Sequence, residues 1–122
     1  MTNPTKPYNI AERLESVKKI VASGWTQQHY ARDEKGIQTF IHDDEATCWC
    51  IMGAIYKTAN DLRSQARHMC TAEMVGVLRE ANGWEEGYHI PTWNDEPGRT
   101  QEEVIAAIET AIEFVTVPGP SA

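Results

Sequence analysis

Residues 46–56 read Ala-Thr-Cys-Trp-Cys-Ile-Met-Gly-Ala-Ile-Tyr, eleven consecutive positions without a charged side chain. In a chain where 24% of residues are charged, a run of this kind belongs in the interior. The acidic stretch Asp43-Asp44-Glu45 just before it supplies negative groups where a helix N-terminus favours them, with Asp43 or Asp44 as the cap. The pattern predicts a central helix from about Glu45 to Ala59, apolar nearly all round through Tyr56. The remaining elements must then pack around it.

Their signals are regular. Asn9 and Glu12 have the spacing of a capping box, and Ile10, Leu14, Val17, Ile20 and Val21 recur at helical period as far as Ser23. Gly24 offers a left-handed stop. Tyr30 and Arg32 alternate, as do Ile37, Thr39 and Ile41, and Asp33-Glu34-Lys35-Gly36 between them reads as the turn of a short β-hairpin. Leu62, Ala66 and Met69 suggest one or two helical turns after Asn60. A further helix begins near Thr71, turns Met74, Val75, Leu78 and Ala81 inward, and ends at Asn82-Gly83. Residues 84–98 look irregular. Thr100 and Glu103 form a capping box for the last helix, whose inner face is Val104, Ile108, Ala111, Ile112 and Val115. The expected fold is mainly α: four principal helices around one core, with a small β-hairpin between the first two. One domain over 1–122 is expected, with 1–8 and 116–122 as flexible tails.

A chain of 122 residues can bury enough surface to fold without a metal or a disulfide, and nothing in it asks for a cofactor. Three cysteines, an odd number, fit a reducing compartment. The polar N-terminus lacks the apolar stretch of a signal peptide, and no apolar run approaches the roughly 20 residues of a membrane span. A cytoplasmic location away from membranes is the expectation. The net charge is −7, and residues 71–122 carry ten acidic side chains against two basic ones. Such a chain is poorly suited to gripping a nucleic-acid backbone. It suits solubility or a basic partner surface.

Several residue groups are candidates for chemistry or binding. On a helix, Cys48 and Cys50 would point about 200° apart, which removes a joint metal clamp or a disulfide and leaves two small buried apolar groups. The alternative makes Cys50 a nucleophile, His89 its base and Asn94 or Asp95 the group orienting the imidazole. That order matches papain-like thiol hydrolases, although the β-sheet of that lineage has no counterpart in this pattern. A metal could be sought at His42, Asp43, Asp44 and Glu45, with His29, His68 and His89 elsewhere, but no ligand spacing is present and a helix start explains the acidic run. Trp84, Tyr88 and Trp93 lie within ten residues of irregular chain, either as interface anchors or as a lid on the core. Asn94-Asp95 before Pro97-Gly98 is a turn signature, and Arg99 is expected to pair with Asp95 or Glu96. Glu102, Glu109 and Glu113 fall within about 40° of one another on the outer face of the last helix.

Three segments, Gly-Trp-Thr-Gln-Gln-His-Tyr-Ala-Arg-Asp-Glu-Lys-Gly, Cys-Trp-Cys-Ile-Met-Gly-Ala-Ile and Trp-Asn-Asp-Glu-Pro-Gly-Arg-Thr-Gln-Glu-Glu-Val, carry a resemblance in that order. The chain resembles a family of short bacterial and bacteriophage domains of unknown function over roughly residues 10–115. The matching positions are Trp25, Tyr30, Arg32, Asp33, Cys50, Gly53, Ala54, Asn94, Asp95, Gly98, Arg99, Thr100 and Glu103. His89 has no place in the pattern. The resemblance implies a bacterial or phage origin and no particular activity. The functional expectation is a small acidic protein that binds a protein partner, as a phage or mobile-element accessory or inhibitor protein. The alternative is a hydrolase or transferase using Cys50. The oligomeric state is left open by the sequence.

Overall fold

A computed structural model of the chain describes residues 6–116. The elements in order are α1 (Ile10–Ser23), β1 (Ala31–Asp33), β2 (Ala46–Trp49), α2 (Ile51–Ala59), α3 (Ser64–Ala81), the one-turn α4 (Ile90–Asn94) and α5 (Gln101–Thr116). The architecture is mainly helical, with one small antiparallel strand pair between α1 and α2. Of the tail residues expected at 1–8 and 116–122, only 6–8 and 116 fall within the described range. There Tyr8 is buried and donates to Glu73 on α3 at 2.6 Å, and Thr116 closes α5.

The first helix, the second half of α3 and the last helix stand where the apolar periods put them, while α3 begins at Ser64 as one continuous helix instead of near Thr71. Leu14, Val17 and Val21 of α1 are fully buried against α2 and α5. Cys70, Met74 and Leu78 of α3 meet Val104, Ile108 and Ala111 of α5 in the same core. Burying one such Leu, Ile or Met side chain contributes about 1.5–3 kcal/mol, so the shared core dominates the stability. The capping signals hold as well. Asn9 Oδ1 accepts the Glu12 N–H at 3.0 Å, and Thr100 and Glu103 exchange bonds at 2.9 and 3.2 Å. Asn82 caps α3, followed by Gly83 at φ 71°.

The charge-free run departs from expectation. It is a strand and then a helix, not one helix from Glu45. A run that is apolar at nearly every position has no period of its own, so strand and helix cannot be told apart by pattern. The acidic run is not a helix start either. Asp43 closes a turn, its carboxylate accepting the Glu45 N–H at 2.8 Å and its carbonyl accepting Ala46 N–H at 3.0 Å. The strand pairing is corrected accordingly. The turn over residues 33–36 forms, with Gly36 N–H bonded to Asp33 O at 2.9 Å and Gly36 at φ 81°. It leads only to an isolated bridge between Arg32 and Gln38, and the ladder partner of β1 is β2. Gly24 ends α1 in an extended conformation, φ 171°, instead of the left-handed one. Its requirement is space: a Cβ there would lie 2.1 Å from Thr47 O.

Candidate functional site

The division of residues 46–56 into a strand and a helix moves Cys50. It is not in mid-helix but is the N-cap of α2, and its sulfur accepts the Gly53 N–H at 3.3 Å. The chain reaches this point through tight backbone contacts. Gly24 O accepts Trp49 N–H at 2.9 Å, Trp49 O accepts Thr26 N–H at 3.2 Å, and Tyr30 O accepts Cys50 N–H at 3.2 Å. Residues 24–30 therefore wrap the junction between β2 and α2. Gly53 permits this, because a Cβ at that position would sit 2.1 Å from Tyr30 O.

Asn94, fully buried at the end of α4, ties the junction together. Its Oδ1 accepts Trp25 Nε1–H at 2.8 Å and the Ile51 N–H at 3.1 Å; its Nδ2 donates to Thr26 O at 3.2 Å and to Asp95 Oδ1 at 2.9 Å. Asn94 Oδ1 and Cys50 Sγ together satisfy two first-turn amides of α2 that would otherwise be orphaned in the interior. Asp95 Oδ1 also accepts the Gln28 N–H at 2.8 Å, and Gln28 is held at φ 73°, a conformation uncommon for a side chain of its type. Gln27 adds bonds to the carbonyls of Asn94 and Glu96 at 3.0 Å.

Between these parts lies a cleft of about 260 Å³ lined by Gln28, His29, Tyr30, Gln38, Cys50, Pro91 and Asp95. Burial pushes the Cys50 thiol up, against the lowering effect of the Gly53 and Met52 amides, and the charge of Asp95 pushes it further. At neutral pH it is a protonated thiol. The structure brings Cys50 and Asp95 to one cleft with His29. His89 is not among the lining residues; it is the N-cap of α4, and its Nδ1 lies 2.6 Å from Thr92 Oγ1. Asn94 spends its amide on Trp25, Ile51, Thr26 and Asp95 and does not orient His89. Cys48 sits on β2, half-buried, with its sulfur 3.8 Å from Arg32 O.

The other sequence candidates separate into scaffold and surface. Trp84 is tilted against Trp93 at 4.9 Å and against Tyr88 at 5.6 Å, and Trp84 and Trp93 are half-buried on the core. Arg99 does not pair with Asp95 or Glu96. Its guanidinium lies 4.2 Å from the Trp93 ring centre, donates to Trp93 O at 3.0 Å and reaches Glu103 at 3.4 Å. On α5, Glu102, Glu109 and Glu113 are exposed, with Glu109 paired to Lys18 at 3.1 Å. Arg32 donates to Thr26 Oγ1, Gly36 O and Gln27 O, and Asp33 Oδ1 accepts Lys35 and Ile37 N–H at 2.9 Å. These two residues shape the loops on either side of β1.

Sequence reasoning about chemistry missed Gln27, Gln28 and Gln38, and it named His29 only as a scattered metal candidate, not as a neighbour of Cys50. The Trp-Thr-Gln signal at 25–27 was present as part of the resemblance, but no local rule attaches a buried asparagine sixty-nine positions away to that tryptophan. The more open apolar groups also went unnoticed. Phe40 is 84% exposed, Ile37 60% and Tyr30 51%, with the Tyr30 ring edge-on to Tyr56 at 5.6 Å.

Fold and site together define a small helical domain whose central helix begins inside a loop-and-strand collar. The chain belongs to the family of unknown function DUF6197, whose family model matches residues 5–114. No curated protein and no solved structure matches the chain. Among the described residues, no helix is long and apolar enough to cross a membrane.

Proposed function

We propose that this protein acts by binding a protein partner, through the exposed Ile37 and Phe40 of the connection between β1 and β2. The observation that supports it is the exposure of Phe40 and Ile37 on one twelve-residue connection between β1 and β2. Exposed apolar side chains grouped on a loop are what an interface needs, and aromatic rings are favoured anchors. The half-buried Trp84, Tyr88 and Trp93 are a weaker choice, because their faces are already spent on one another and on the core. Net charge −7 favours a partner of basic character. The setting we attach to this reading is a phage or mobile-element accessory protein acting as an inhibitor in the cytoplasm; small size and acidity support it.

A photo-crosslinking residue at position 40, with capture from bacterial lysate, tests the reading. One defined partner should be captured by the native chain and lost with Ile37→Ser/Phe40→Ser. An identical set of captured proteins from native chain and double variant would sink it.

A second reading keeps Cys50 as the nucleophile of a hydrolase or transferase. Its support is the place of Cys50, a helix N-cap facing a cleft shared with His29 and Asp95. The raised thiol and the separate placement of His89 weigh against it. Native-state alkylation between pH 5 and 9, on the order of the thiol and imidazole ranges, decides between them.

A further inference from the structure

At the opposite end of α2, where it turns into α3, a second pocket of about 220 Å³ opens. His42 enters it from the connection between the strands, and Arg67 and His68 enter from the first two turns of α3. The hydroxyls of Ser64 and Thr71 and the amide of Asn60 complete the polar lining, and no carboxylate belongs to it. Burial lowers the His42 pKa, and the charges of Lys57 and Arg67 lower it further, so these cations act on one point.

Two of the neighbouring acids are engaged elsewhere. Asp61 pairs with Arg13, and the Asp43 carboxylate is turned onto the Glu45 amide. Arg67 spends Nε and Nη2 on the carbonyls of Leu62 and Asn60, which leaves Nη1 without a partner among the described residues. Lys57 makes no ion pair among the described residues and lies 5.4 Å from the Trp49 ring centre. In a chain of net charge −7 this is a local reversal of sign. An anion seated in the pocket would meet the unpartnered Nη1 of Arg67, a charge-assisted hydrogen bond with no carboxylate in the lining to compete for it.

We propose that this pocket binds a phosphate-class oxyanion carried by a small organic molecule. This goes beyond the interface reading and does not depend on it. The chemistry is that of phosphate recognition: a planar guanidinium N–H, two imidazoles able to donate, and hydroxyl and amide donors, with no acidic group to repel the ligand. The volume is below the roughly 300–1,000 Å³ of drug-sized sites, which favours a phosphate ester no larger than a nucleoside monophosphate, seated by its phosphate. The ring of Tyr56, 36% exposed, gives that part an apolar flank.

Titration of the full chain with inorganic phosphate and with a nucleoside monophosphate, followed by amide and imidazole NMR against sodium chloride at equal ionic strength, tests the proposal. Saturable shifts confined to His42, Ser64, Arg67, His68 and Thr71, with phosphate raising the His42 pKa, are expected. His42→Ala and His68→Ala, which remove two lining side chains, should each weaken binding about tenfold, as the loss of a charge-assisted contact does. They are preferred to Arg67→Gln, because Arg67 also holds the α2–α3 turn and that variant could unfold it. Shifts that follow chloride as closely as phosphate would overturn the proposal, as would unchanged affinity in both variants. A serine phosphopeptide that binds far more tightly than the nucleoside monophosphate would overturn the small-molecule assignment.

Discussion

The collar around the start of α2 and the connection over residues 34–45 are neighbours in the chain and opposites in construction. In the collar, one buried asparagine makes four hydrogen bonds to three separate stretches of chain, and two glycines allow backbones to touch. In the connection, Phe40 and Ile37 face solvent, and the regular ladder is reduced to a single bridge at Gln38. The collar is held by polar groups that cannot be removed without leaving partners stranded. The connection has apolar groups with no intramolecular use. The lesson is that satisfied burial marks what holds the fold, whereas unsatisfied apolar exposure marks what is free to meet another molecule.

The contrast can be broken most severely at Gly53. Gly53→Ala drives a Cβ into Tyr30 O, a backbone atom that cannot swing aside, and should cost about 4 kcal/mol, at the upper end of overpacking effects. Urea denaturation reads it as a large drop in midpoint with little change in slope. Asn94→Ala comes next. It strands the Trp25 indole N–H and the Ile51 amide, and about 3 kcal/mol is expected from two unsatisfied donors. If Asn94→Ala proved as stable as the native protein, the collar would not be the anchor described above.

Cysteine labelling sharpens the comparison on a smaller scale. The Cys50 thiol is protonated at neutral pH, and the thiolate is the form that reacts. Its alkylation in the native protein should therefore stay slow at pH 7 and rise only above the ordinary thiol range, while unfolding in urea should expose it at once. Fast labelling of Cys50 near neutral pH would favour the nucleophile reading. The smallest effect on stability belongs to Phe40→Ser, within about 0.5 kcal/mol of zero, because the ring is solvated already. That same variant should have the largest effect on partner capture, and a thermal melt run beside the capture assay separates the two.

Much of the helical scaffold was legible in the sequence. The apolar periods of α1, of the second half of α3 and of α5 placed Leu14, Val17, Met74, Leu78, Val104 and Ile108 inside, because one-sided burial writes a period into the chain. Caps at Asn9 and Thr100 were legible for a similar reason: a cap is a contact between residues three apart. The connection between α2 and α3 was less so, and Ser64 begins one continuous helix where two shorter pieces were expected.

The candidate site was largely illegible. Cys50 and Asp95 could be named but not placed, and His29 joined them only when residues 24–30 closed around Gly53. His89 was named for a partnership the fold does not make, since its ring turns to Thr92 at the start of α4. What the sequence alone determined was the number and faces of the main helices, their caps and the acidity of the chain, all properties of residues a few positions apart. Only the tertiary structure decided that residues 46–56 divide into strand and helix, that Asn94 caps α2 from forty-three positions away, and that His42, Arg67 and His68 line one pocket at the end of α2. A run that is apolar at nearly every position carries no period to reveal its conformation, and a long-range hydrogen bond leaves no spacing to read.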